Sequence, residues 1–339
     1  MRSATLLALL PMAMAAPSVV KRDSPAPLVV PRGASLVEGK YIVKFKKDVG
    51  TSSVDSAIST VSADADYVYK NHFSGFAGSL TAEELEQLRN DPNVDYVEQD
   101  AIIKKYETQE DATWGIARLS SKEPGSTTYT YDASAGEGTC AYVVDTGIDV
   151  EHPDFEGRAE WLENFADNDD TDGDGHGTHV AGTIGSKTYG VAKKTKLFAV
   201  KVLDANGEGT TSGVIGGMDF TVENAAQQEC PNGVVVNMSL GGGFAQTIND
   251  AAAGIVDAGL FLAVAAGNEG VDAEGSSPAS EPSACTVGAT EKDDTLASYS
   301  NFGSVVDILA PGSDIESTWV GGGTVSSHNP SSTTKSIIF

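Results

Sequence analysis

An α/β fold with a parallel sheet flanked by helices, preceded by a small α+β domain, is what this sequence predicts, and three observations carry it. From Trp114 onward, short and nearly continuous apolar runs recur, as strands buried on both faces require. Segments with helical spacing separate those runs. Ahead of them, residues 36–106 combine alternating strand patterns with a capped helix.

The chain opens with Arg2, an apolar run from Ala4 to Met14 broken by Pro11, and the small residues Ala13, Ala15 and Ala16. That layout predicts a cleaved secretory signal over 1–16, since a membrane anchor needs about 20 apolar residues. A secreted, extracellular product with no membrane partner is expected. Residues 17–35, bearing Pro, Ser and the pair Lys21-Arg22, read as a linker. Within 36–106, Gly39 to Phe45 alternates like a half-buried strand, Thr81 caps a helix reaching Leu88, and Val94 to Val97 forms a second strand, together a βαβ-type module. Between 107 and 324, strands are expected at Cys140 to Val144, Leu197 to Leu203, Val234 to Met238, Leu260 to Ala266 and Val305 to Leu309. Helices are expected at Thr178 to Ser186, Thr211 to Gln227 and Gln246 to Ala258.

With 48 acidic against 22 basic side chains, the net charge of −26 excludes nucleic acid as a partner. Three cysteines, Cys140, Cys230 and Cys285, leave an odd thiol in an exported chain.

In open parallel sheets, chemistry collects at the carboxyl ends of the strands. Asp145 ends the run Ala141-Tyr142-Val143-Val144 and precedes Thr146-Gly147, a position that also suits a cap or turn former. His176 stands in Asp174-Gly175-His176-Gly177-Thr178-His179, among small residues that let a substrate approach. Two metal readings fail here. The run from Asp170 begins like an EF-hand loop but carries Ala181 where its twelfth position needs Glu. His176 and His179 lack the Glu of a zinc-protease motif.

Taken with Ser239-Leu240-Gly241-Gly242 and Ala265-Ala266-Gly267-Asn268, these segments fall in the order and spacing of the subtilisin-like serine proteases, and Trp114-Gly115-Ile116-Ala117-Arg118 resembles the start of a mature proteinase K-like enzyme. The resemblance spans residues 112 to 324 and implies a subtilisin-like fold with its C-terminal part missing. It implies that Asp145 orients His176, the general base of a Ser-His-Asp triad, and that Asn268 donates to the oxyanion. Ser239, Leu240 and Gly241, with Ala265, Ala266 and Gly267, would wall the primary specificity pocket. Gly207 and Gly209 would pair with an extended peptide substrate. By the same resemblance, 36–106 is an inhibitory propeptide acting within its own chain, released near Tyr106-Glu107. Calcium would bind Asp307 and the carbonyls of Pro282 and Ala284, Cys140 would pair with Cys230, and the partner of Cys285 would lie further on. A monomer is expected.

The family sets its nucleophile in a Gly-Thr-Ser-Met-Ala segment shortly after the equivalent of Ser317-Thr318-Trp319-Val320. This sequence continues instead as Gly323-Thr324-Val325-Ser326-Ser327-His328 and a polar tail, 325–339. The tail reads as translated intron, because Val325-Ser326 can be encoded by GTGAGT, the form of a splice donor. The expectation is a serine endopeptidase precursor that is inactive as written. The alternatives are an inhibitor built on the propeptide module and a peptide-binding pseudoprotease.

Overall fold

The computed structural model describes residues 24–31, 35–47, 49–103 and 105–326. The signal expected at 1–16 and the tail from Ser327 lie outside the described residues. The chain divides into two compact units between Ile103 and Lys104.

The first unit holds β1 (Leu28–Val29), β2 (Leu36–Phe45), α1 (Thr51–Ile58), β3 (Ala65–Lys70), β4 (Ser74–Ser79), α2 (Ala82–Arg89) and β5 (Val94–Ala101). They form a five-stranded sheet in the order β1-β5-β2-β4-β3. The β1–β5 pair is parallel and the other pairs antiparallel. Alternation in β2 sends Val43 and Phe45 into a core with Val54, Phe76, Leu85, Leu88, Val94 and Val97. Thr81 caps α2 as expected: its Oγ1 accepts the Glu84 N–H (3.3 Å) while Glu84 Oε2 accepts the Thr81 N–H (2.8 Å). The unit is larger than a βαβ module, because α1, β3 and β4 carry weak apolar patterns and gain their order from the shared core. The expected linker 17–35 is also corrected, since Leu28 and Val29 pair with Val97 and Glu98.

The second unit begins with β6 (Tyr106–Gln109), α3 (Trp114–Ser120), β7 (Tyr129–Asp132), β8 (Cys140–Asp145), β9 (Ala159–Asn164), α4 (His176–Gly185) and β10 (Lys196–Lys201). It continues with α5 (Thr211–Ala225), β11 (Val234–Met238), β12 (Gly242–Gly243), α6 (Gln246–Asp257), β13 (Phe261–Ala265), β14 (Ser276–Ser277), β15 (Cys285–Thr290), β16 (Ile308–Pro311), β17 (Glu316–Trp319) and β18 (Gly323–Ser326). Because β6 pairs with β7, Tyr106 belongs to this unit rather than to the first. Val325 and Ser326 pair with Ser317 and Glu316, so the tail expected from 325 contributes to an ordered hairpin.

A seven-stranded sheet in the order β16-β15-β13-β11-β8-β10-β9 is the frame, and its pairs are parallel. Alternate residues of β8 and β10 serve opposite faces. Tyr142, Val144, Phe198 and Val200 pack with Val214, Met218, Ile248 and Ile255 of α5 and α6. Ala141, Val143, Leu197 and Ala199 pack with Val180 and Ala181 of α4. The run expected to continue as strand to Leu203 stops at Lys201, because the N–H groups of Val202 and Leu203 both turn to the Asp145 carbonyl (2.8 and 3.2 Å). The run expected at Val305 to Leu309 starts later, at Ile308. A turn with Gly303 at φ +118° precedes it, closed by the Val306 N–H on the Gly303 carbonyl (3.2 Å).

Candidate active site

Asp145 ends β8, an inner strand between β11 and β10, and is fully buried. Its Oδ1 accepts the Thr146 N–H (2.7 Å) and the Nδ1–H of His176 (2.6 Å). That bond fixes the imidazole with its proton on Nδ1 and its lone pair on Nε2, the form a general base needs. Burial works against a charged imidazole, but the Asp145 carboxylate outweighs it and holds the His176 pKa above its ordinary value.

His176 opens α4, and its backbone is set by glycine and by a buried carboxylate. Gly175 sits at φ +101°, where a Cβ would fall 2.5 Å from the Trp319 ring. Gly177 passes the turn after β8 so closely that a Cβ would lie 2.0 Å from the Gly147 carbonyl oxygen. Asp172 ties the two segments together. Its Oδ1 accepts Thr146 Oγ1–H (2.8 Å) and the Gly175 N–H (2.8 Å), and its Oδ2 accepts the N–H and Oγ1–H of Thr178 (2.9 and 2.5 Å). Thr146 Oγ1 in turn accepts the Gly177 N–H (2.8 Å). Lys201, buried at the end of β10, donates to the Thr146 carbonyl (2.9 Å).

Two cavities share the wall Ser239 to Gly242. One, about 510 Å³, has His176, Asp174, Gly207, Gly209 and Leu240 on its lining. The other, about 370 Å³, is bounded by Ala265, Ala266, Gly267, Asn268 and Ala279. The residues expected to bind substrate therefore meet on one cleft. The Asn268 side-chain amide makes no hydrogen bond to the described residues, while its backbone N–H goes to Glu269 Oε2 (2.9 Å). Asn301, buried beneath, holds this loop: Nδ2 donates to the Ala266 carbonyl (3.0 Å) and Glu269 Oε2 (2.9 Å), and Oδ1 accepts the N–H groups of Glu269 (3.0 Å) and Val271 (3.1 Å).

His176 and His179 do not converge on a metal, because His179 Nε2 is spent on the Ile315 carbonyl (2.9 Å). Asp307 is fastened to the start of β15, its N–H on the Thr286 carbonyl (2.9 Å) and its Oδ2 accepting the Thr286 N–H (2.8 Å), which leaves Oδ1 without a protein partner among the described residues. Ala284 lies two residues before Thr286 and Pro282 in the preceding turn. A free carboxylate oxygen is a hard donor of the kind calcium takes. Cys140 and Cys230 form a disulfide, and Cys285 is a free thiol.

Asp172, Lys201 and Asn301 were not singled out from the sequence as parts of the site. Asp172 was visible there only as a member of the failed calcium-loop pattern. The available signal was an acidic residue in a Gly-rich run just before the helix that carries His176.

Residues 136–337 match the subtilase family and residues 40–106 the peptidase inhibitor I9 family. A cuticle-degrading protease of Metarhizium anisopliae is 54% identical over 327 residues, which cover 96% of this chain and 84% of that protein. Proteinase R of Parengyodontium album is 52% identical over the same shares, and proteinase T of the same organism is 70% identical over 231 residues, 68% of this chain and 79% of that one. The crystal structure of a cold-adapted subtilisin-like serine proteinase superposes with a TM-score of 0.60 at 44% identity, covering 64% of this chain and 78% of that one. With the Asp145–His176 pair at the strand ends and an I9 domain ahead of it, this chain belongs to the subtilase family of serine proteases.

Proposed function

We propose that the chain is the precursor of a secreted serine endopeptidase that works as a monomer, cleaves peptide and protein substrates, and is held inactive by its own I9 domain until it is cut near Tyr106-Glu107. The observation that carries this reading is the 2.6 Å bond from His176 Nδ1 to Asp145 Oδ1 at the edge of a two-chambered cleft. In the reaction, His176 Nε2 takes the proton of a nucleophilic hydroxyl and returns it to the leaving amine. Asp145 holds the ring and stabilises the imidazolium that forms. The uncommitted amide of Asn268 donates to the oxyanion. The backbone of Gly207 to Gly209 pairs with the extended substrate. Asp307 and the carbonyls of Pro282 and Ala284 would hold a calcium ion, which would supply a structural tie at the start of β15.

The nucleophile is the part the 339 residues do not supply: they contain no Gly-Thr-Ser-Met-Ala segment. Among the described residues no hydroxyl hydrogen-bonds His176 Nε2. A polypeptide of these 339 residues accordingly does not cut peptide, and activity belongs to a product in which that segment follows Thr324. The test is to isolate the secreted product and sequence it beyond Gly323 by mass spectrometry. A hydrolytic product carrying the segment, and silenced by His176→Ala, supports the reading. A hydrolytic product that instead carries Val325 to Phe339 sinks it.

A second reading rests on the first unit, which has its own buried core of eleven residues among the described ones. Folded alone, residues 23–106 would inhibit a proteinase K-like enzyme at sub-micromolar concentration, and no inhibition at tenfold higher levels would remove that reading.

A further inference from the structure

The cavity beside His176 carries two carboxylates that the protein leaves uncommitted. Asp174 spends Oδ1 on the His176 N–H (3.0 Å). Its Oδ2 has no hydrogen-bond or ion-pair partner among the described residues and lies 3.9 Å from where a side chain on Gly207 would begin. It therefore faces across the cleft toward the edge that pairs with substrate. Glu208, on that edge, is held only by its backbone: its N–H donates to Asp204 Oδ1 (3.0 Å) and its carbonyl accepts the Asp204 N–H (2.8 Å). No Lys or Arg among the described residues is within ion-pair distance of either carboxylate. The buried Lys201 points away, to the Thr146 carbonyl and to Asp167.

The second cavity is the opposite case. Its walls are mainly small and apolar, and its one acid, Glu269, is already engaged by the Asn268 N–H and Asn301 Nδ2. The cleft thus has one chamber whose single acid is engaged and one in which two open carboxylates border an apolar lining of Leu203, Val214, Leu240 and Ile248. A concave wall of unpaired carboxylates concentrates the field and attracts cations. A cation placed between them would gain charge-assisted hydrogen bonds at no cost to an existing pair.

Resting on the protease reading of this cleft, we infer that it selects peptides with Lys or Arg directly before the residue seated in the Ala265–Ala279 chamber, with Asp174 as the principal specificity residue and Glu208 assisting. The N–H bond from His176 to Asp174 Oδ1 is a local helix-start contact and does not consume Oδ2, so the two roles coexist.

The test uses three N-acetyl tetrapeptide amides, Ala-Ala-X-Phe with X as Lys, Ala or Glu, titrated calorimetrically into the protein after cleavage near Tyr106-Glu107 and removal of its I9 domain. The Lys peptide binds about tenfold tighter than the Ala peptide, the scale of one partly exposed charge-assisted hydrogen bond, and the Glu peptide binds weakest. Raising the salt narrows the spread. Asp174→Asn cuts the Lys-to-Ala ratio to about threefold or less, and Glu208→Gln lowers it further. Equal binding of the Lys and Glu peptides overturns the inference, as does a ratio that survives both substitutions together. If none of the three peptides binds, the reading of the cleft as a peptide site falls, and this inference falls with it.

Discussion

At Asp145, exchange for Asn would change a single atom, yet it would replace an acceptor for His176 Nδ1–H and remove the charge that offsets burial of the ring. Burial is then opposed only by the smaller contributions of Asp174 and Asp172, and the His176 pKa is expected to fall. Titration of the ring protons by NMR in Asp145→Asn reads this directly, and an unchanged midpoint would mean that the carboxylate does not set the base. Asp172→Asn is expected to cost about 2–4 kcal/mol, because an amide nitrogen would face donors that now meet a buried carboxylate oxygen. Chemical denaturation measures it, and a loss under about 0.5 kcal/mol would contradict the role given to Asp172. The sequence offered Asp145, His176 and Asn268 as candidates because each lies within two residues of a glycine at the end of an apolar run or the start of a helix. Asp172 and Asn301 were not legible, since their meaning lies in partners at Thr146 and Ala266, distant in the chain and adjacent only in the fold.

Helix α4 shows how an element places a reactive group. Its start was expected at Thr178, from apolar spacing alone, whereas Gly175 in the left-handed region and the Asp172 bonds bring it to His176. On its far side, β17 fastens it: Ser317 Oγ–H donates to the His179 carbonyl and Thr318 Oγ1–H to that of Thr178, both at 2.8 Å. His179 is buried in that contact, and burial holds its pKa down to about 4. A folded-state pKa below the unfolded value of about 6.5 favours the neutral ring. Its contribution is complete above pH 6.5 and is lost as the pH falls from there through about 4, amounting to about 2–3 kcal/mol between pH 7 and 4.5. His176 has the opposite sign, since its raised pKa contributes below pH 6.5 and that contribution fades as the pH rises through the folded value. Comparing the native chain with His179→Asn at both pH values isolates the first effect. The native chain should lose more stability at pH 4.5, and parallel losses would show that His179 does not couple α4 to pH.

For the whole molecule, the apolar runs identified most sheet strands, but they could not reveal strand order. Their buried character is the same wherever they sit, and the placement of β8 near the middle follows from helices covering both faces. The disulfide joins the start of β8 to the segment before β11, with a sequence separation of 90. In the chain-entropy account, closing a loop of this length contributes about 4–5 kcal/mol. Cys140→Ser with Cys230→Ser should therefore lower the unfolding free energy by several kcal/mol in chemical denaturation, and a loss below about 1 kcal/mol would place the stability of this unit in its core alone.

The central proposal is that the 339 residues supply the base, its carboxylate and the oxyanion donor of a serine protease but not its nucleophile. It is tested most directly by exposing the purified 339-residue protein to a fluorophosphonate probe and mapping labelled residues by mass spectrometry. The account expects no labelled serine, and labelling that requires His176 once the Gly-Thr-Ser-Met-Ala segment is joined after Thr324. A serine within the 339 residues that takes the probe, and loses it in His176→Ala, would contradict the claim and identify the nucleophile it denies.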